Sequence, residues 1–137
     1  MTNEEKELLL KDLCARLPHG VRVCYKIRLK DKPIDVTLSG LLLDYFNNKT
    51  VVEIKPFLRP MSSMNIEEGE RLEQIAKETL GDFMFEAEED GGAIYHMTKW
   101  KTLSPAMFDY LNSIHIDYRG LIGKGLALEA PERMYNN

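Results

Sequence analysis

Val21-Arg22-Val23-Cys24-Tyr25-Lys26-Ile27-Arg28-Leu29-Lys30 is the stretch on which the fold turns. Apolar and polar residues alternate strictly along it, and a strand with one face against a core has that period of two. Lys30-Asp31-Lys32-Pro33 supplies a turn, and Ile34, Val36 and Leu38 resume the same alternation. The second strand is therefore expected from about Ile34 to Tyr45, with a bulge or bend at Gly40 where Leu41-Leu42-Leu43 breaks the phase. Asn47-Asn48 suits a tight hairpin, since Asn tolerates positive φ. Val51-Val52-Glu53-Ile54 forms a third strand, closed by Pro56 and Pro60. Three strands with short connections predict an antiparallel meander over 21–55.

Helices flank this sheet. Thr2-Asn3-Glu4-Glu5 spells a capping box, in which hydroxyl and carboxylate each bond the other residue's backbone amide. Leu10, Leu13, Cys14 and Leu17 then recur at helical spacing, and Pro18 and Gly20 end the run, so a helix is predicted over 3–17. Asn65 with Glu68 opens a second helix over 65–80, carried by Ile66, Leu72, Ile75, Ala76 and Leu80. Ser104-Pro105 starts a third over 104–115, with Met107, Tyr110, Leu111 and Ile114 on one stripe. The segment 82–103 admits two readings, a hairpin with an acidic tip or a loop with aromatic anchors. Residues 117–130 have three glycines and little periodicity. The expected class is α+β: an N-terminal helix, the meander, two helices and an irregular C-terminal segment. At 137 residues, one domain over 1–137 is expected, with 131–137 as its disordered tail.

Composition narrows the function classes. An apolar share of 44% and a charged share of 29% are those of an ordinary globular protein. No apolar run approaches the ~20 residues of a spanning helix, and the acidic start does not suit an export signal, so a cytoplasmic protein without membrane contact is expected. The net charge is −4, but it is unevenly spread: residues 1–60 carry 11 Lys/Arg against 8 Asp/Glu, and 61–137 carry 7 against 14. Cys14 falls on the helix stripe as a small core residue. Cys24 falls on the polar side of its strand beside Arg22, Lys26 and Arg28, cations that would favour its thiolate. Two cysteines in this arrangement make neither a disulfide framework nor a zinc site, and no metal or other cofactor is implied.

No catalytic motif is present. Nucleophile elbow, phosphate loop and dinucleotide fingerprint are all missing, and Gly123-Lys124-Gly125 lacks the spacing and the following Ser or Thr of a phosphate loop. His19, His96 and His115 stand far apart and suit surface or hydrogen-bonding roles. Two constellations remain. Arg22, Lys26, Arg28 and Lys30 would form a row on one strand face, which could track the phosphates of a nucleic acid, lie against an acidic segment, or simply be solvated. His115, Asp117, Tyr118 and Arg119 gather four hydrogen-bonding side chains after the third helix. They suit either a binding site, with Arg119 forking onto a carboxylate or phosphate, or a fastener for the irregular segment. The fastener is the preferred reading.

Two strings go further. Lys55-Pro56-Phe57-Leu58-Arg59-Pro60-Met61-Ser62-Ser63-Met64, and Asp117-Tyr118-Arg119-Gly120-Leu121-Ile122 followed by Lys124-Gly125-Leu126-Ala127-Leu128-Glu129-Ala130-Pro131, resemble a family of small uncharacterised proteins. That family belongs to gut bacteria of the Bacteroides type and their phages or prophages. Leu8–Leu17 shares the resemblance, and residues 21–54 and 82–103 share it least. The resemblance implies no activity or catalytic residue; a mobile-element setting implies an accessory protein that binds a host or phage component. The sequence thus favours a non-catalytic protein-binding module of undetermined oligomeric state, with a nucleic-acid-binding accessory using 22–30 as the alternative. A small enzyme with its site at 115–119 is a third reading.

Overall fold

The computed structural model describes residues 1–80 and 103–135. The segment expected to be hairpin or loop, 82–103, therefore lies almost wholly outside the described residues. The class is α+β, with helices α1 (Asn3–Arg16), α2 (Gly40–Asn47), α3 (Ile66–Leu80) and α4 (Pro105–Ser113) among the described residues. Strands β1 (Arg22–Lys26), β2 (Ile34–Thr37), β3 (Glu53–Leu58) and β4 (Leu128–Glu129) make one sheet of order β2-β1-β3-β4. The chain forms two compact units: Met1–Leu58 with Asp117–Asn137, and Arg59–Ile116.

In the first unit, α1 begins at the expected capping box, with the Glu5 amide donating to Thr2 Oγ1 at 3.1 Å and the Thr2 amide to Glu5 Oε1 at 2.9 Å. Its buried face is not the expected one. Leu9, Asp12, Leu13 and Arg16 point inward and Cys14 is exposed, so the stripe is rotated by one residue and Cys14 is not a core residue.

The meander is also corrected. β1 pairs antiparallel with β2 (Val23 opposite Val36) and with β3 (Val23 opposite Pro56), so β1 lies in the middle. Two strands that are both antiparallel to β1 run parallel to each other, and parallel strands need a long crossover instead of a tight turn. Residues 38–52 are that crossover, and α2 is its helix. Ser39 caps it by accepting from the Leu42 amide at 3.2 Å, and Leu42 and Phe46, one turn apart, bury the inner side. The expected strand 34–45 thus stops at Thr37, Gly40 opens a helix, and Asn47-Asn48 closes that helix. β4 adds in parallel beside β3, with Phe57 opposite Leu128. One sheet face carries Val23, Ile54 and Leu58 into a core shared with Leu9, Leu13, Leu38, Leu42, Phe46, Leu121 and Leu126.

Where β1 and β3 part, a side chain enters the ladder. The next rung would join Arg22 and Phe57; instead the Arg22 amide donates to the Tyr135 hydroxyl at 2.9 Å, and that hydroxyl donates to the Phe57 carbonyl. Burial pushes the Tyr135 hydroxyl's pKa up, which keeps it a donor. Tyr135, in the segment expected as a tail, is thus bonded to the backbones of both strands.

In the second unit α3 packs on α4. Leu72, Ile75 and Ala76 of α3 and Met107 and Leu111 of α4 are buried, and Thr79 Oγ1 donates to the Ser104 hydroxyl at 2.7 Å. Asn65 and Glu68 cap α3 reciprocally, as expected, at 2.8 and 3.0 Å. Arg59 organises the surroundings. Its guanidinium forks onto Glu68 with two bonds of 2.7 Å and donates to the carbonyls of Ser63 at 2.9 Å and Ile114 at 3.2 Å.

Candidate protein-docking surface

The sheet edge at β2 and the helix after it leave apolar side chains facing water. Ile27, Ile34, Leu41 and Tyr45 are each two-fifths or more exposed. Tyr25, Ile27, Val36, Leu41, Leu42 and Tyr45 line an open groove of about 340 Å³, with Thr37, Ser39, Thr50 and Val51 completing its wall. The local sequence explains the opening. Val36 lies on the core side of β2 but at the sheet's edge, so among the described residues only one strand neighbours it. Leu41 and Tyr45 lie four apart on the outer side of α2 while Leu42 and Phe46 take its inner side.

Beside the groove, β1 leaves the sheet after Lys26 and turns through 27–31. The turn is closed by the Arg28 amide on Asp31 Oδ2 at 3.2 Å and the Asp31 amide on the Arg28 carbonyl at 3.0 Å. Arg28, Lys30 and Lys32 are exposed on this tip, with Leu29 between them. The strand expected to carry a row of four cations therefore ends before Arg28. Arg22 and Lys26 do share a face, but Lys26 Nζ pairs with Glu53 at 3.6 Å and Arg22 donates to Thr37 Oγ1 at 3.1 Å. Between them sits Cys24, buried, with its thiol pushed above the ordinary value first by that burial and then by Asp35 and Glu53. The neighbouring cations do not make it a thiolate.

The C-terminal constellation is divided. His115 ends α4 in the second unit. It holds φ +64°, its amide donates to the Asn112 carbonyl at 3.2 Å, and the Ile116 amide reaches Leu111 at 3.0 Å. Those two bonds are the Schellman closure, with His115 in the left-handed position that usually takes glycine. Asp117, Tyr118 and Arg119 belong to the first unit. Asp117 is buried and its two carboxylate oxygens accept the Leu121 and Ile122 amides, each at 2.9 Å. It fastens the turn that follows, with Gly120 at φ +74°.

Arg119 bonds a residue that sequence reading had not singled out. Its Nε donates to Asp12 Oδ1 at 3.1 Å, while Arg16 Nε donates to Asp12 Oδ2 at 2.8 Å. Asp12 and Arg16 are fully buried, and the Tyr118 ring lies 5.2 Å from the Arg16 and 5.1 Å from the Arg119 guanidinium carbon. Two cations share one carboxylate and one aromatic ring, the pattern expected of desolvated arginines. The signal was present as Asp12 and Arg16, four apart on the same helical stripe as Leu9 and Leu13.

Among the described residues no group of His, Cys, Asp and Glu could hold a metal ion, and no helix is long and apolar enough to cross a membrane. No family model, no curated protein and no solved structure matches the chain.

Proposed function

We propose that the protein is a non-catalytic binding module whose docking surface is the β2–α2 groove together with the basic tip at 27–32, and whose partner presents an acidic, apolar protein segment. The observation that carries the reading is the exposure of Ile27, Leu41 and Tyr45 around one groove. Exposed apolar side chains clustered in this way mark interaction sites on soluble proteins. The adjoining Arg28, Lys30 and Lys32 supply charge that steers an acidic partner and fixes its orientation. The buried polar clusters at Asp12–Arg16–Arg119 and Arg59–Glu68 act as internal ties, which suits a scaffold more than a reaction site.

A photo-cross-linking side chain at position 41, with position 66 as an exposed control, tests the reading. The expected result is a discrete adduct from 41 alone whose cross-linked peptide is acidic and apolar, lost in Tyr45→Asp and in Arg28→Glu/Lys30→Glu. Equal adducts from both positions would sink it. Binding to DNA or RNA that falls steeply with salt would instead favour the nucleic-acid reading.

A further inference from the structure

Resting on that docking surface, we infer that the partner segment binds as an added β-strand on the free edge of β2, antiparallel to it. It would present apolar side chains at alternate positions to the groove and acidic residues at its C-terminal end.

The bonding pattern of β2 assigns its free groups. The Leu38 amide donates to the Val21 carbonyl at 2.9 Å, and the register places Val36 opposite Val23 and Ile34 opposite Tyr25. In an antiparallel pair, hydrogen-bonded positions alternate, so 34, 36 and 38 point their backbone groups at β1. The other side of β1 agrees: the Lys26 carbonyl accepts from Val52 and the Arg22 amide turns toward the β3 side. Asp35 and Thr37 therefore aim their amides and carbonyls away from the sheet. β2 is the edge strand, and no described strand pairs there.

An incoming strand would meet two donors and two acceptors at the spacing it needs. Its alternate side chains would fall on the Val36 side, where Leu41 and Tyr45 wall the groove. Main-chain bonds giving affinity and side-chain pockets giving selectivity are the two halves of strand addition. Charge selects the occupant. The basic tip precedes β2, so an antiparallel segment ends over Arg28, Lys30 and Lys32, where C-terminal acidic residues and the carboxylate itself are favoured. The edge is short and begins after Pro33, which limits pairing to a brief segment.

The test is selection of short random peptides on the full chain, followed by affinity measurement on Asp35→Pro and Thr37→Pro. Proline is tolerated on an edge strand where the amide faces solvent, so both variants should melt like the wild type. Each should weaken the selected peptides about tenfold or more, as expected when an unreplaced hydrogen bond is lost at an interface. As a measurement independent of the protein's folding, N-methylation of alternate peptide amides should abolish binding in one phase and spare it in the other. Peptides that lose binding with Leu41→Asp but keep it in both proline variants would overturn strand addition and leave the groove reading standing. Failure to enrich any peptide would overturn both. A wild-type dimer dispersed by Thr37→Pro would overturn the inference in favour of a second copy at the edge.

Discussion

Arg59→Ala is the substitution the structure predicts most sharply. The guanidinium makes four hydrogen bonds, two to Glu68 and one each to the carbonyls of Ser63 and Ile114, and both charged side chains are about one-tenth exposed. Truncation leaves the Glu68 carboxylate poorly solvated with, among the described residues, the Asn65 amide of its cap as donor, and leaves two carbonyls without the guanidinium. Breaking a buried pair by removing one partner costs about 3–5 kcal/mol. That is a large share of a total stability of ~5–15 kcal/mol. The same bonds hold the Glu68 carboxyl below its ordinary 4.5 and the Arg59 guanidinium above its own value. A carboxyl depressed in the folded state stabilises the protein above its unfolded pKa and loses that contribution as pH falls through the folded value. Urea unfolding followed by far-ultraviolet circular dichroism should therefore show the Arg59→Ala deficit in full at pH 7. The deficit should narrow below about pH 4.5 as the wild type loses the pair. A loss under about 1 kcal/mol at pH 7, the level of a solvent-exposed pair, would refute the account.

Other variants probe the remaining ties. Asp12→Ala removes the carboxylate that both Arg16 and Arg119 bond and should cost about 3–5 kcal/mol in the same assay, whereas Arg119→Ala, on a partly exposed partner, should cost less. Asp117→Ala unpairs the Leu121 and Ile122 amides and should lower stability by about 1–3 kcal/mol. His115 occupies the left-handed region, so His115→Val should be less stable than His115→Asn by about 1–2 kcal/mol, measured as a difference in urea midpoint at equal slope. A maleimide reagent should modify exposed Cys14 in the native protein and reach Cys24 only on unfolding, read by mass spectrometry.

Much of the local structure was legible because it rests on local chemistry. Both capping boxes and the Ser104-Pro105 start follow from residues within a few positions of one another, and the β1–β2 pairing joins strands separated by a single turn. What escaped depended on distant partners. Leu41-Leu42-Leu43 fits a bent strand as well as a helix; only the Leu42/Phe46 spacing behind a Ser39 cap separates the two. The sheet order could not be read because β1 is claimed by both β2 and β3. The α1 face was misplaced because Asp12 and Arg16 look solvent-facing until Tyr118 and Arg119 arrive from more than 100 positions later. The groove beside β2 had no signature at all. Exposed Leu41 and Tyr45 resemble core residues in a list of apolar positions, and only the edge position of β2 leaves them open.

Tyr135 bears on the order in which the chain can fold. A ladder rung between Arg22 and Phe57, a fourth strand and three core residues are all supplied from 117–135, while 59–116 contains its own partners. On a ribosome adding ~5–20 residues per second, the first 58 residues would wait roughly 4–15 s for all of that material. During the wait, β3 has no β4 beside it, and Arg16 lacks the aromatic face that covers its charge. The contiguous unit can close before its host does. Moving 117–137 ahead of Met1 by circular permutation, with a linker across the new junction, would remove the delay but would place new charged chain ends at the buried Ile116 and Asp117.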